Sequence, residues 1–139
     1  MDRRAFIGSV ALGALASRAA SAQPARKVAR IGIVGFAGTT SEMSGPEPTR
    51  PSVKALLQGL RELGYVYGRD FVTEPRGGEG RPELWPGLVA EIVGLQVDII
   101  VAPGPMMAML KQATTTIPIV MAGAPDPIGD GYIRSLRSP

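Results

Sequence analysis

The sequence predicts an α/β fold: an open parallel sheet with helices on both faces. Three observations point to it. Apolar runs rich in β-branched residues alternate with helix-like stretches in the order β-α-β-α-β-α-β. The runs are continuously apolar, as strands covered on both faces must be. Gly and Pro also cluster where the strands give way to loops, above all in Pro103-Gly104-Pro105 and in Gly123-Ala124-Pro125-Asp126-Pro127.

Residues 28–36, VARIGIVGF, give the first strand, followed by a Gly-, Thr-, Ser- and Pro-rich loop over 37–50. Residues 51–63 read as a helix, with Pro51 at an early position, Ser52 as its cap and Gly64 as its stop. Val53, Leu56, Leu57, Leu60 and Leu63 recur at spacings of three and four and mark its apolar face. Residues 70–75, DFVTEP, form a more polar strand suited to a sheet edge, and 76–81, RGGEGR, a flexible loop. A second helix covers 82–95, with Leu84, Leu88, Ile92 and Leu95 on one face and Pro86 in its first turn or kinking it. Strand 97–101, helix 106–114 and strand 117–122 complete a parallel crossover unit, and 127–137 can begin a further helix capped by Asp126.

Residues 1–22 belong outside the fold. A charged start with Arg3 and Arg4, an apolar run over 5–16 and Ala20-Ser21-Ala22 before Gln23 read as a cleavable signal peptide. Arg3-Arg4 before Phe6-Ile7 fits the twin-arginine export route, and an ordinary secretion signal accommodates it too. The apolar run is too short to span a bilayer. Cleavage removes three arginines and one aspartate, so the formal charge falls from +3 to +1. The charge is therefore no sign of a nucleic-acid partner. The chain has no Cys, which excludes disulfides and a lipidated cysteine, and the expected product is exported, soluble and periplasmic. Residues 23–139 are enough for one α/β domain.

Without His or Cys, neither the usual nucleophilic couples nor the usual metal clusters can be built; no catalytic residue, metal or cofactor is expected. Glu79, Glu83 and Glu91 read as a solvated face. Gly32, Gly35 and Gly38 follow the wrong spacing for a dinucleotide loop, and Glu74 comes too late to serve as its ribose partner. Binding is better supported, at the carboxyl ends of the strands. There Gly35, Phe36, Thr39 and Thr40 offer backbone N–H groups and two hydroxyls. Gly104, Pro105 and Met106 open a helix whose free N–H groups favour a carboxylate. Gly123, Ala124 and Asp126 close the far side, although capping of the next helix is the favoured role of Asp126. Met106, Met107 and Met109 read as core packing with one of them able to face the ligand, and Trp85 as packed on the sheet.

Four stretches, RRAFIG, LLQGLRELGYVYGRD, LVAEIVGLQVDIIVA and KQATTTIPIVMAGAPDPIGDGYIRSL, resemble substrate-binding proteins of ABC transporters. The resemblance is to the group related to tryptophan- and tyrosine-binding lipoproteins. It implies the amino-terminal lobe of a type I periplasmic binding protein, with a small solute, an amino acid at the family level, held in a cleft and passed to a membrane permease. It also implies a second lobe, so that the chain ending at Pro139 reads as truncated. Where the family commonly carries Gly-Ser/Thr-Pro, this chain has Pro103-Gly104-Pro105, with no hydroxyl and one N–H fewer.

The expected function is therefore an extracytoplasmic solute-binding protein. A stand-alone α/β interaction module or a non-functional truncated product is the alternative, and the absent phosphate loop speaks against a nucleotide-dependent enzyme. In a lone lobe, strand 117–122 would be an uncharged edge with only Pro118 to blunt it. Self-association is then expected, read as an apparent mass that rises with concentration in light scattering; a monodisperse monomer at micromolar concentration would contradict it.

Overall fold

A computed structural model describes residues 25–123, 126, 128–131, 133 and 134. The signal-peptide expectation over 1–22, and Ala124 with it, lies outside them. Four parallel strands form one sheet: β1 (Ala29–Gly35), β2 (Phe71–Gly77), β3 (Ile99–Ala102) and β4 (Ile119–Met121), in the order β2-β1-β3-β4. The expected α/β class and open parallel sheet are what the chain adopts.

The strand β1 is central and carries both cores. Ile33 faces a cluster with Met43 of α1 (Thr40–Met43), Val53 and Leu57 of α2 (Pro51–Glu62) and Phe71 of β2. Val34 faces the opposite cluster, built by α3 (Trp85–Gly94) and α4 (Met107–Ala113) around Ile92, Ile100, Met106 and Leu110. Helices thus cover both faces. Ile92, Ile100 and Leu110 are fully buried, each contributing about 1.5–3 kcal/mol by leaving water. Packing is close enough that a Cβ on Gly32 would come within 2.8 Å of Ile92 Cγ1, so α3 needs a glycine beneath it.

Local chemistry explains most boundaries. Pro51 starts α2, and Gly64, at φ 89°, ends it in a Schellman arrangement: Tyr65 N donates to Leu60 O and Gly64 N to Arg61 O. Ser52 is not its cap, since Arg50 occupies that place and no side chain caps the helix. Leu63 does not join the apolar face: it lies beyond the last turn and is 76% exposed. The second predicted helix divides into a 3₁₀ turn (Pro82–Leu84) and α3, with Pro86 in the first turn of α3, where a missing N–H costs nothing. Its buried face is Val89 and Ile92 rather than Leu84 and Leu88, which are only partly covered. Predicted strand 117–122 shortens to β4, which among the described residues pairs with β3 alone and leaves Val120 45% exposed. Beyond it, residues 128–131 form a turn, not the start of a helix: Asp126 Oδ1 accepts from Gly129 N at 2.8 Å, and Asp126 O from Asp130 N.

The edge strand β2 is more polar, as expected. Glu74 pairs with Arg30 at 2.9 Å, and Arg76 with Glu91 of α3 at 2.9 Å. At the sheet's amino-terminal edge two carboxylates anchor the incoming chain. Asp98 accepts from the Lys27 ammonium and from Arg30 N at 2.7 Å, and these bonds hold it below its ordinary range, the Lys27 bond foremost. Asp70 is held down by the Arg69 guanidinium and then by Val66 N. Groups with depressed folded pKa values stabilise the fold above the unfolded carboxylate range and lose that contribution as pH falls through the folded pKa. The urea midpoint should stay level from pH 7 to 5 and drop below about pH 4, more shallowly in Asp98→Asn. A wild-type midpoint unchanged down to pH 3 would contradict this.

Candidate functional site

The carboxyl ends of β1 and β3 separate a half-open cleft of about 200 Å3. It lies at the switch point of the sheet: β1 connects outward to β2, whereas the chain then crosses to β3 on the other side of β1. One wall is the end of β1 and its loop, from Ile33 through Gly35 and Phe36 to Ala37. The opposite wall is Val101, Ala102 and Pro103, with Ala122 at its far corner. Met43 of α1 and Val53 and Leu56 of α2 form the apolar floor, and Arg50 and Ser52 stand at the start of α2. The lining is thus mainly hydrocarbon with one cation, the composition expected of a small-molecule pocket.

Side-chain hydrogen bonds build the floor. Thr39 and Glu42 form a reciprocal capping box: Glu42 N donates to Thr39 Oγ1, and Thr39 N to Glu42 Oε2 at 2.7 Å. The Thr39 N–H, joined by its hydroxyl, holds the Glu42 carboxyl below its ordinary range. This one-turn helix places Met43 against Gly35, where a Cβ would sit 3.1 Å from its sulfur. Thr49 N and Arg50 N both donate to Glu42 O, at 3.0 and 2.9 Å, so the same residue folds the loop back and delivers Arg50 to the cleft.

Of the residues singled out in the sequence, Gly35 and Phe36 line the cleft, with Phe36 46% exposed at its rim. The Thr39 hydroxyl is committed to the cap, and Thr40 Oγ1 accepts from Gly77 N at 3.0 Å. The expectation of free N–H groups at Gly104 and Met106 is corrected: Gly104 N donates to Gly123 O at 3.1 Å, and Met106 N to Pro103 O. Met106 and Met107 are buried in the core, and Pro105 is exposed and outside the lining. Gly123, at φ 81°, accepts the Gly104 bond just beyond Ala122, and Asp126 is engaged with its own turn. Trp85 packs against the core as expected, with its indole N–H buried and unpartnered beside Gly78.

Sequence reasoning missed Met43, Arg50, Ser52 and Val53. A signal existed for the first: Thr39-Thr40-Ser41-Glu42 has capping-box spacing, which announces a helix inside what reads as a loop.

A family model described as ABC transporter substrate binding protein matches residues 44–139, more than half of the chain. The chain belongs to this family. No curated protein sequence matches this substrate-binding family member. Among solved structures it is similar to a conserved domain protein from Vibrio cholerae, at 27% identity and TM-score 0.63, covering 79% of this chain and 35% of that one. It is also similar to an ABC domain in complex with L-Trp from Streptococcus pneumoniae, at 25% identity and TM-score 0.62, with coverage of 79% and 35%. The fold is shared with a ligand-free, open substrate-binding protein with adhesive properties from Clostridium difficile, at 20% identity and TM-score 0.61, over 78% and 35%. This family member therefore spans about a third of the length of the structures it matches.

The back of the cleft is braced where the ends of β1 and β2 continue side by side. Gly78 N donates to Gly35 O at 2.7 Å, Gly80 N to Phe36 O at 2.8 Å and Glu79 N to Gly38 O at 3.0 Å. A Cβ on Gly77 would meet Gly38 O, Thr39 C and Thr40 N, the last at 2.7 Å. All three are backbone atoms, so they cannot swing aside. Gly77→Ala should cost about 1–3 kcal/mol, the usual range for overpacking, read as a lower urea midpoint. An unchanged midpoint would show that the loop is not held this tightly.

Proposed function

We propose that this chain is the solute-binding component of an ABC-type uptake transporter, exported across the cytoplasmic membrane and docking on a membrane permease. The observation that carries the reading is the apolar cleft at the carboxyl ends of β1 and β3, in a chain of the substrate-binding family. The solute is small with an apolar body, as the hydrocarbon floor of Met43, Val53 and Leu56 favours. The L-Trp complex among the similar structures supports an amino acid as the starting class. Export rests on residues 1–22 acting as a cleaved leader. Among the described residues no helix is long and apolar enough to cross a membrane, and no group of three or more His, Cys, Asp or Glu could hold a metal ion.

One preparation tests both halves. The full-length gene product, expressed in a bacterium with two membranes, should be recovered from the periplasmic fraction with Gln23 as its first residue by mass spectrometry. A solute present at a hundred times its Kd should add about 2.7 kcal/mol, raising the melting temperature by several degrees. Screening the amino acids one by one should find such a shift. Ala37→Trp, which fills the cleft, should abolish it while melting cooperatively itself. Retention in the cytoplasm with the leader intact would sink the export reading. A solute-dependent shift that survives Ala37→Trp would sink this cleft as the site.

A further inference from the structure

We propose that the cleft reads its solute through the anionic end, with Arg50 as the specificity-determining residue, and that it leaves an ammonium group unread. The solute class is then an apolar carboxylate, whether or not it carries an α-amino group. This rests on the solute-binding reading above and narrows what that site selects.

Arg50 is the one charged side chain among the described residues lining the cleft. Its guanidinium lies over Gly38, where a Cβ would stand 2.8 Å from Nη1; a glycine at φ 84° leaves room for the flat cation against the backbone. Among the described residues no carboxylate comes within ion-pair distance of it. Glu42 feels its charge, but the Glu42 carboxylate is tied to Thr39 N at 2.7 Å and to Thr39 Oγ1 at 3.1 Å.

A guanidinium is a planar cation with five N–H donors and no acceptor. Against hydrocarbon walls its attraction for an anion is screened less than in water, and its planar fork matches a carboxylate with two parallel hydrogen bonds. An ammonium group meets the opposite situation. Among the described residues none of the lining carries a carboxylate, and the Ser52 hydroxyl is the only uncharged polar side chain there. A phosphate ester offers the same oxyanion chemistry with roughly twice the charge, which a single arginine would leave partly uncompensated.

Calorimetric titration of the full-length gene product at pH 7 tests this with matched probes on isobutyl, phenyl and indole bodies. Each body is presented as the α-amino acid, the deaminated acid, the decarboxylated amine and the alkyl phosphate. In at least one set the acid and the amino acid should bind within about threefold of each other. The amine should bind at least tenfold more weakly, as expected when a hydrogen bond to a charged group is lost. Arg50→Gln should weaken acid and amino acid by a similar factor and erase their advantage over the amine, while Arg50→Lys retains part of it. Cooperative melting of both variants establishes that the fold survives.

An amino acid that binds more than tenfold tighter than its deaminated partner would overturn the proposal, as would Arg50→Gln with undiminished affinity; solute binding itself would then stand. Tighter binding of the phosphate would overturn the carboxylate class. No binding in any set would overturn this proposal together with the solute-binding reading.

Discussion

The structure depends on β1 being covered on all sides. It is paired on one edge to β2 and on the other to β3, and both hydrophobic clusters rest on it, one through Ile33 and one through Val34. A seven-residue strand in that position has no solvent-facing side left for a polar residue except near its start, where Arg30 reaches out to Glu74 and to the Leu95 carbonyl. Gly32 marks the tightest point, since α3 sits directly on the backbone there. The cleft follows from the same arrangement. Two neighbouring strands whose connections run in opposite directions must leave a gap between their ends, and here the gap opens between the loops that follow Gly35 and Ala102.

How much of this was legible differs between fold and site. Strand and helix identity was largely readable, because burial on both faces leaves continuous apolar runs and because Pro51 and Gly64 punctuate α2 by simple backbone chemistry. Faces were read less well. Leu63 continues the helical spacing but falls after the last hydrogen-bonded turn, and spacing carries no information on where a helix stops being covered. Of the predicted leucines, Leu84 falls in the 3₁₀ turn before Trp85 and Leu88 of α3 is only partly covered, because the tighter turn breaks the 82–95 spacing and the buried stripe runs through Val89 and Ile92.

The position of the cleft was legible, its lining less so. The cleft opens at the strand ends to which the sequence pointed, and Gly35 and Phe36 line it. Gly104 and Met106 were chosen for the N–H groups of a helix start, yet both groups are taken up by neighbouring carbonyls, one of them across the sheet from Gly123. Arg50 was overlooked because nothing in its local sequence distinguishes it from any loop arginine. Its significance comes from the fold-back onto the Glu42 carbonyl, a contact between residues eight apart in an irregular segment. Such placement arises from tertiary geometry, which periodicity and composition do not encode.

The cleft has unequal walls, and this bears on how such a protein could change its ligand. The β1 side is locked by glycines in contact with backbone and by three hydrogen bonds joining its loop to the one after β2. The far corner, around Ala122 at the end of a three-residue strand, is exposed and tied back through the bonds from Ala122 N to Ala102 O and from Gly104 N to Gly123 O. A Cβ at Gly77 or Gly78 behind the first wall would meet backbone atoms, whereas a new side chain at Ala122 meets solvent and a short strand. A substitution that reshapes the cleft therefore meets least resistance along the β4 margin, where the backbone has room to adjust around it.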